Sequence, residues 1–158
     1  MVNNGDKENF NIKKSLSPTF KLFLGEYQPN ITGGGRLALP KKIREVIGDT
    51  NKIVLARGFE ECIFGYTKSD WEEESRKTLI SPISERKSRM LKRYMFSGAY
   101  ELDYDLQGRV VIPKVLLDYG NLEKSSEVLL VGAGDHFEIW NKHSWKQNFK
   151  NIESEVLD

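Results

Sequence analysis

Cysteine is nearly absent from this 158-residue chain. Cys62 stands alone, which excludes an internal disulfide, and with only His136 and His143 beside it there is no ligand spacing for a four-coordinate zinc site. Long apolar runs are missing as well. No stretch approaches the ~20 residues that a membrane-spanning helix needs, and the opening Met1 to Asp6 has no basic region leading into an apolar one. The expected location is therefore the cytoplasm. An excess of one charge sign is also lacking: 24 Lys and Arg face 23 Asp and Glu, a net charge of +1. Bulk charge attracts neither nucleic acid nor an anionic membrane, so any polyanion must be met by a local patch. What is present is ordinary, with 39% hydrophobic and 30% charged residues, the composition of a chain that folds. Its length suits one sizeable core and is short for a multidomain enzyme.

From Lys21 onward the chain repeats itself. Phe23-Leu-Gly-Glu-Tyr27 returns as Phe96-Ser-Gly-Ala-Tyr100, and Gly35-Arg36-Leu37-Ala38-Leu39-Pro40-Lys41 returns as Gly108-Arg109-Val110-Val111-Ile112-Pro113-Lys114, both at an offset of 73. One later insertion makes the offset 74, where Gly58, Tyr66, Lys68 and Trp71 match Gly132, Trp140, Lys142 and Trp145. Two copies are too few for a solenoid, so a pseudo-two-fold pair packed face to face is expected. Each copy reads as an apolar strand (Leu22 to Ile31; Met95 to Tyr104), a glycine-bearing turn and a short aliphatic strand, which together make a hairpin. A short helix follows, opened by Pro40 or Pro113 and stopped at Gly48 or Gly120. Two buried strands come next (Ile53 to Ala56 and Cys62 to Tyr66; Val128 to Val131 and His136 to Trp140), and then a longer helix. In the first copy Ser69-Asp70-Trp71-Glu72 fits a capping box. The class is α+β.

The expected division is a flexible tail over 1–21, a first half over 22–80, a connecting basic amphipathic helix over 81–95, a second half over 96–150 and a tail over 151–158. The connecting segment has Ile83, Met90, Leu91, Tyr94 and Met95 at helical spacing, with Arg86, Arg89 and Arg93 opposite and Lys87 on the apolar side. Arg76 to Arg93 holds seven basic residues against Glu85 alone. A solvated face is the preferred reading over a nucleic-acid contact, because charge runs commonly only solvate.

The turns are the most informative positions. Each is followed at once by an arginine, Gly35-Arg36 and Gly108-Arg109, so two equivalent hairpins present two equivalent guanidinium groups. Arginine binds phosphate through paired N–H groups, or reaches guanine O6 and N7 in a major groove wide enough for a two-stranded ribbon. Gly33, Gly34 and Gly35 allow close backbone approach, though the turn geometry alone also asks for glycine. Tight turns that merely carry surface arginines remain the plain alternative.

The Phe-x-Gly-x-Tyr motif, Asp105-x-x-Gly-Arg109 with its aliphatic stretch and Pro113, the strand Val128 to Gly132, and Phe137-Glu-Ile-Trp140 together resemble the MraZ family of bacterial transcriptional regulators. The resemblance covers about Leu22 to Phe149 and is better in the second half. It implies two tandem AbrB-like (SpoVT-AbrB) swapped-hairpin halves of double-psi barrel type with packing helices, and a homo-oligomeric ring. It also implies regulation of the division and cell wall gene cluster, through binding of short G-rich direct repeats in double-stranded promoter DNA. A nucleoid-associated place in the cytoplasm follows, without cofactor, metal, membrane or small-molecule substrate. The contact is expected from Arg36 and Arg109, with Gly34, Gly35, Gln107 and Gly108 beside them and Thr32 and Asp105 shaping the turns. Two departures stand out. Thr32 replaces the first-half aspartate and is expected to accept a weaker turn hydrogen bond, and Gly34 replaces the lysine that usually precedes Gly-Arg.

Residues that would support other functional classes are fewer. Glu101, Asp103 and Asp105 alternate along one strand face, an arrangement that suits holding Mg²⁺ or moving a proton, but the equivalent Gln28, Asn30 and Thr32 carry no acid. Cys62 lies in an apolar strand and reads as a packed thiol rather than a nucleophile. Trp71, Trp140 and Trp145 read as core or interface rather than base-stacking platforms. The alternative among binding proteins is an AbrB-like antitoxin or an oligomeric interaction module without specific DNA binding. Antitoxin chains usually carry one hairpin unit plus a toxin-binding segment, whereas both units are present here.

Overall fold

Two antiparallel sheets, both shared between the sequence copies, carry the fold in the computed structural model, which describes residues 21–122 and 127–157. In chain order the elements are β1 (Glu26–Tyr27), β2 (Ile31–Thr32), β3 (Arg36–Ala38), α1 (Lys41–Ile47), β4 (Lys52–Arg57), β5 (Ile63–Tyr66), α2 (Lys68–Leu79) and α3 (Arg86–Ser97). The second copy continues with β6 (Ala99–Asp103), β7 (Arg109–Val111), α4 (Lys114–Tyr119), β8 (Val128–Gly132), β9 (Phe137–Asn141) and α5 (Lys142–Val156). The larger sheet has the order β1-β8-β9-β5-β4-β6 and the smaller one β2-β3-β7.

Exchanging the copies maps the larger sheet onto itself and, in the smaller one, swaps β3 with β7, while β2 has no strand counterpart among the described residues. In the larger sheet β5 meets β9 with Phe64 opposite Glu138, which are equivalents at the offset of 74. In the smaller one β3 meets β7 with Leu37 opposite Val110, equivalents at 73. The copies therefore do not pack face to face as expected. They interleave, because strand edges exposed by one copy are paired by the other, which leaves fewer unpaired backbone groups than two separate small units would. Backbone bonds at the turns cross in the same symmetric way: Leu39 N–H donates to Gly108 O at 2.8 Å, and Ile112 N–H to Gly35 O at 2.9 Å.

One core follows from this interleaving. Leu37, Ile43, Ile53, Leu55 and Ile63 from the first copy join Val110, Ile112, Leu116, Leu130, Phe137 and Ile139 from the second. Gly65 lies opposite Phe137 across β5 and β9, and a Cβ there would come within 2.2 Å of the Phe137 ring. The ring fills the space that glycine leaves.

Local departures from the sequence expectations have simple causes. The long first strand of copy one splits into β1 and β2, which lie in different sheets, with Pro29, which has no N–H to donate, in the break. In copy two, β6 pairs with β4 and not with β7, so only the turn of that hairpin forms. Pro40 and Pro113 sit one position before their helices, as caps with extended backbone. The capping residue of α2 is Thr67, whose hydroxyl accepts from the Asp70 N–H at 3.1 Å, so the helix starts earlier than a Ser69 box would place it. The connecting helix spans Arg86–Ser97 after a turn. Of its expected apolar face, Tyr94 and Met95 are half-buried, whereas Met90 and Leu91 are exposed, as is Ile83 before it. The last helix runs to Val156, past the boundary expected at 150, with Trp145, Phe149 and Ile152 continuing its helical spacing. The tail expected over 1–21 lies outside the described residues except for Lys21.

Candidate nucleic-acid interface

The small sheet places the two arginines. Along β3 and β7 only Leu37 and Val110 are buried, so by alternation Arg36, Ala38, Arg109 and Val111 stand on the opposite, outer face. Arg36 lies opposite Val111 and Arg109 opposite Ala38. The arginines are thus diagonal neighbours, with Cα atoms about 7–8 Å apart by sheet geometry. Their turns lie at opposite ends of the strand pair, because β3 and β7 are antiparallel. Two guanidinium groups on one small outward face, one of them paired with Asp105, supply the local donors that a chain of near-zero net charge needs to meet a polyanion.

The second turn is tightly organised. Asp105 Oδ1 accepts from the N–H groups of Gln107 and Arg109, both at 2.9 Å, and Gly108 N–H donates to Asp105 O at 2.9 Å. Asp105 Oδ2 accepts from Arg109 Nε at 3.0 Å and pairs with its Nη2 at 3.0 Å. The Arg109 amide, outweighing slight burial, leads these bonds in holding the Asp105 carboxyl below its ordinary range. Gly108 has φ +80°, and a Cβ there would meet the Arg44 side chain at 2.7 Å. Gln107 and Leu106 are exposed, and Leu106 projects fully into solvent.

The first turn is organised by backbone alone. Gly35 N–H donates to Thr32 O at 3.2 Å and Ala38 N–H to Asn30 O at 3.1 Å. The hydroxyl of Thr32, expected to accept a turn bond, makes none among the described residues, because three glycines close the turn through their own conformational freedom. Gly34 and Gly35 have φ +83° and +79°. Gly33 and Gly34 border open space, while a Cβ on Gly35 would meet Leu117 at 2.8 Å and Ile112 O at 2.9 Å. Arg36 makes no side-chain hydrogen bond or ion pair among the described residues. The structure thus brings Thr32, Gly34, Gly35 and Arg36 to one end of the small sheet, and Asp105, Gln107, Gly108 and Arg109 to the other.

The remaining candidates are dispersed. Glu101 pairs with Lys68 at 3.5 Å, Asp103 with Lys52 at 3.0 Å and Asp105 with Arg109, so the alternating carboxylates are each held by a different cation. In the basic segment, Arg89 donates to the carbonyls of Ile83 and Ser84, both at 2.9 Å, and Lys92 to that of Ser81 at 2.7 Å. Part of that charge closes the turn between α2 and α3. Cys62 and Trp140 are buried, and Trp71 and Trp145 half-buried. Among the described residues no helix is long and apolar enough to cross a membrane.

Sequence reasoning missed a second polar constellation. His136 lies between Asp135 and Glu138, with Nδ1 and Nε2 each 2.8 Å from a carboxylate oxygen, and stacks on Tyr66. The Asp-His-x-Glu spacing was its only signal. Arg44 was also passed over, and its packing beneath Gly108 was legible only through its repeat equivalence with Leu117, which packs beneath Gly35.

A family model described as "MraZ protein, putative antitoxin-like" matches residues 22–94 and again residues 95–157. Similar curated proteins include the transcriptional regulator MraZ of Roseiflexus sp. (strain RS-1), 38% identical over 125 residues, covering 79% of this chain and 85% of that protein. The transcriptional regulator MraZ of Oenococcus oeni is 35% identical over 144 residues, covering 87% and 98%. That of Roseiflexus castenholzii is 37% identical over 125 residues, covering 79% and 85%.

Proposed function

Because the chain belongs to the MraZ family, whose curated members above are named transcriptional regulators, we propose that it regulates transcription by binding short direct repeats in promoter DNA of a division and cell wall gene cluster, through Arg36 and Arg109. The observation that carries this reading is the small sheet: two repeat-equivalent arginines on one exposed face, centred on a strand pair narrow enough for the major groove. It acts as a regulator and not as an enzyme.

The pairing of each turn with the other copy's helix supports AbrB-like swapped-hairpin halves. One such face gives modest affinity, since a subunit of net charge +1 neutralises few phosphates. A homo-oligomeric ring facing successive repeats makes later contacts intramolecular and supplies avidity. The second reading, a protein-interaction module without specific DNA binding, rests on the exposed apolar residues Leu79, Ile80, Ile83, Met90 and Leu91 around the α2–α3 turn.

The test is a mobility shift on DNA from immediately upstream of the chain's own gene, against a shuffled duplex of equal composition. The wild type is expected to prefer the upstream DNA, and the Arg36→Ala, Arg109→Ala double variant to lose that preference while keeping its fold and oligomeric size. A folded wild type without preference would favour the interaction module.

A further inference from the structure

The two halves of the arginine face are chemically unequal. Arg109 is charge-compensated: Asp105 Oδ2 takes its Nε and Nη2 at 3.0 Å each, which fixes the plane of the guanidinium and leaves its outer N–H groups without a partner among the described residues. Its turn carries side chains that can touch base edges, Gln107 and the fully exposed Leu106. Arg36 has no such counter-ion among the described residues, since Thr32 stands where the second copy has Asp105. Its turn offers no side chains, only Gly33-Gly34-Gly35, the first two bordering open space.

We infer that the halves divide the work: the Asp105-latched Arg109 turn reads bases, and the Arg36 glycine turn clamps the phosphate backbone. This deepens the proposed DNA-binding function and rests on it. A guanidinium oriented by a carboxylate presents a rigid donor pair suited to guanine O6 and N7, and being neutral as a pair it gains little from a phosphate, which the carboxylate repels. An uncompensated guanidinium beside bare backbone amides has the opposite profile. It attracts a phosphate, and the absence of side chains lets the phosphate approach closely. Asp105 is accordingly a positioning residue that acts on DNA through Arg109.

Salt dependence separates the two roles, because each phosphate neutralised contributes about 0.9 to the slope of log affinity against log salt, whereas base contacts set the preference for one sequence over another. Binding is measured by fluorescence anisotropy at several salt concentrations, on the upstream duplex and on its shuffled counterpart. Arg36→Gln is expected to flatten the slope by about 0.9 per bound protomer and to keep the sequence preference. Arg109→Gln made together with Asp105→Asn, so that no bare carboxylate faces the DNA, is expected to keep the slope and to lose about tenfold or more of the preference, as for a lost paired base contact. Asp105→Asn keeps an oxygen for the two turn amides but frees the Arg109 charge, so it should steepen the slope while weakening the preference. Thr32→Asp should flatten the slope by latching Arg36.

Equal slope losses from Arg36→Gln and the Arg109→Gln, Asp105→Asn double variant, or a preference lost only with Arg36→Gln, would overturn the division of work while leaving DNA binding intact. A wild type that shows no preference at all would instead overturn the DNA-binding reading itself. Circular dichroism and sedimentation of each variant keep loss of fold apart from both, and the single Asp105→Asn variant decides the question if the double variant does not fold.

Discussion

Leu37 and Val110 lie directly opposite each other across β3 and β7, both buried, and each occupies in its own copy the position that the other occupies in the second. The pseudo-two-fold relation therefore passes through one cross-strand pair, and that pair anchors the inner face of the sheet whose outer face carries Arg36 and Arg109. Truncating it removes apolar burial from both copies at once. Leu37→Ala is expected to destabilise the protein by about 2–5 kcal/mol, whereas Ala38→Ser, on the outer face, should change stability by less than about 0.5 kcal/mol. Guanidinium-induced unfolding measures both, and equal midpoints for the two variants would contradict the assignment of faces.

The second sheet has a similar constraint at Gly65. With Phe137 directly opposite and its ring occupying the place of a Cβ, Gly65→Ala forces a strand or a buried ring to move. A loss of about 1–3 kcal/mol is expected, the range for overpacked cores. Gly33, which borders open space and has no positive φ, should accept alanine at little cost. A Gly65→Ala protein as stable as the Gly33→Ala protein would be inconsistent with the packing described.

His136 gives stability a pH dependence. Burial disfavours its charged form, but the Glu138 and Asp135 carboxylates together outweigh burial and hold its pKa above the ordinary value. Tyr66 and Phe64 from β5 cover the ring without adding charge. A raised folded-state pKa means that the contribution is fully present below the unfolded value of about 6.5 and is lost as pH rises through the folded one. The difference in unfolding free energy between wild type and His136→Gln should therefore shrink across that window. A difference that grows with rising pH would contradict the pairing.

Cys62 should be chemically silent. It is fully buried, and burial first, then Glu138 and Glu60, push its thiol far above the range in which thiolate forms. Iodoacetamide is expected to leave the native protein unmodified and to label it once denatured. Rapid native labelling would show that the segment leading into β5 opens readily.

Much of this was legible in the chain. The repeat offsets predicted the symmetry, and the Gly-Arg pairs predicted equivalent arginines, because a turn glycine and the residue after it are local features. What could not be read was how the copies combine. Strand pairing is non-local, so nothing in Met95 to Tyr104 says that β6 pairs with β4 rather than returning on β7. For the same reason the expected face-to-face pair became an interleaved one. Side-chain partners were half legible: Asp105 and Arg109, four residues apart around a turn, were visible as a motif, whereas the lack of a turn bond from the Thr32 hydroxyl emerged only from the geometry that three glycines permit. The exposure of Met90 and Leu91 was invisible too, because periodicity shows that a helix has an apolar face without showing whether anything covers it.

The central claim is that the outer face of the small sheet is where DNA lies. A photo-crosslinking side chain placed at Val111, between the two arginines, and separately at Arg89 on the basic helix α3, tests it most directly. Irradiated with the upstream duplex, the Val111 position is expected to yield a protein–DNA adduct that is abolished by Arg36→Ala with Arg109→Ala, and the Arg89 position to yield little. Adducts from Arg89 with none from Val111 would move the interface to the connecting helix and contradict the account.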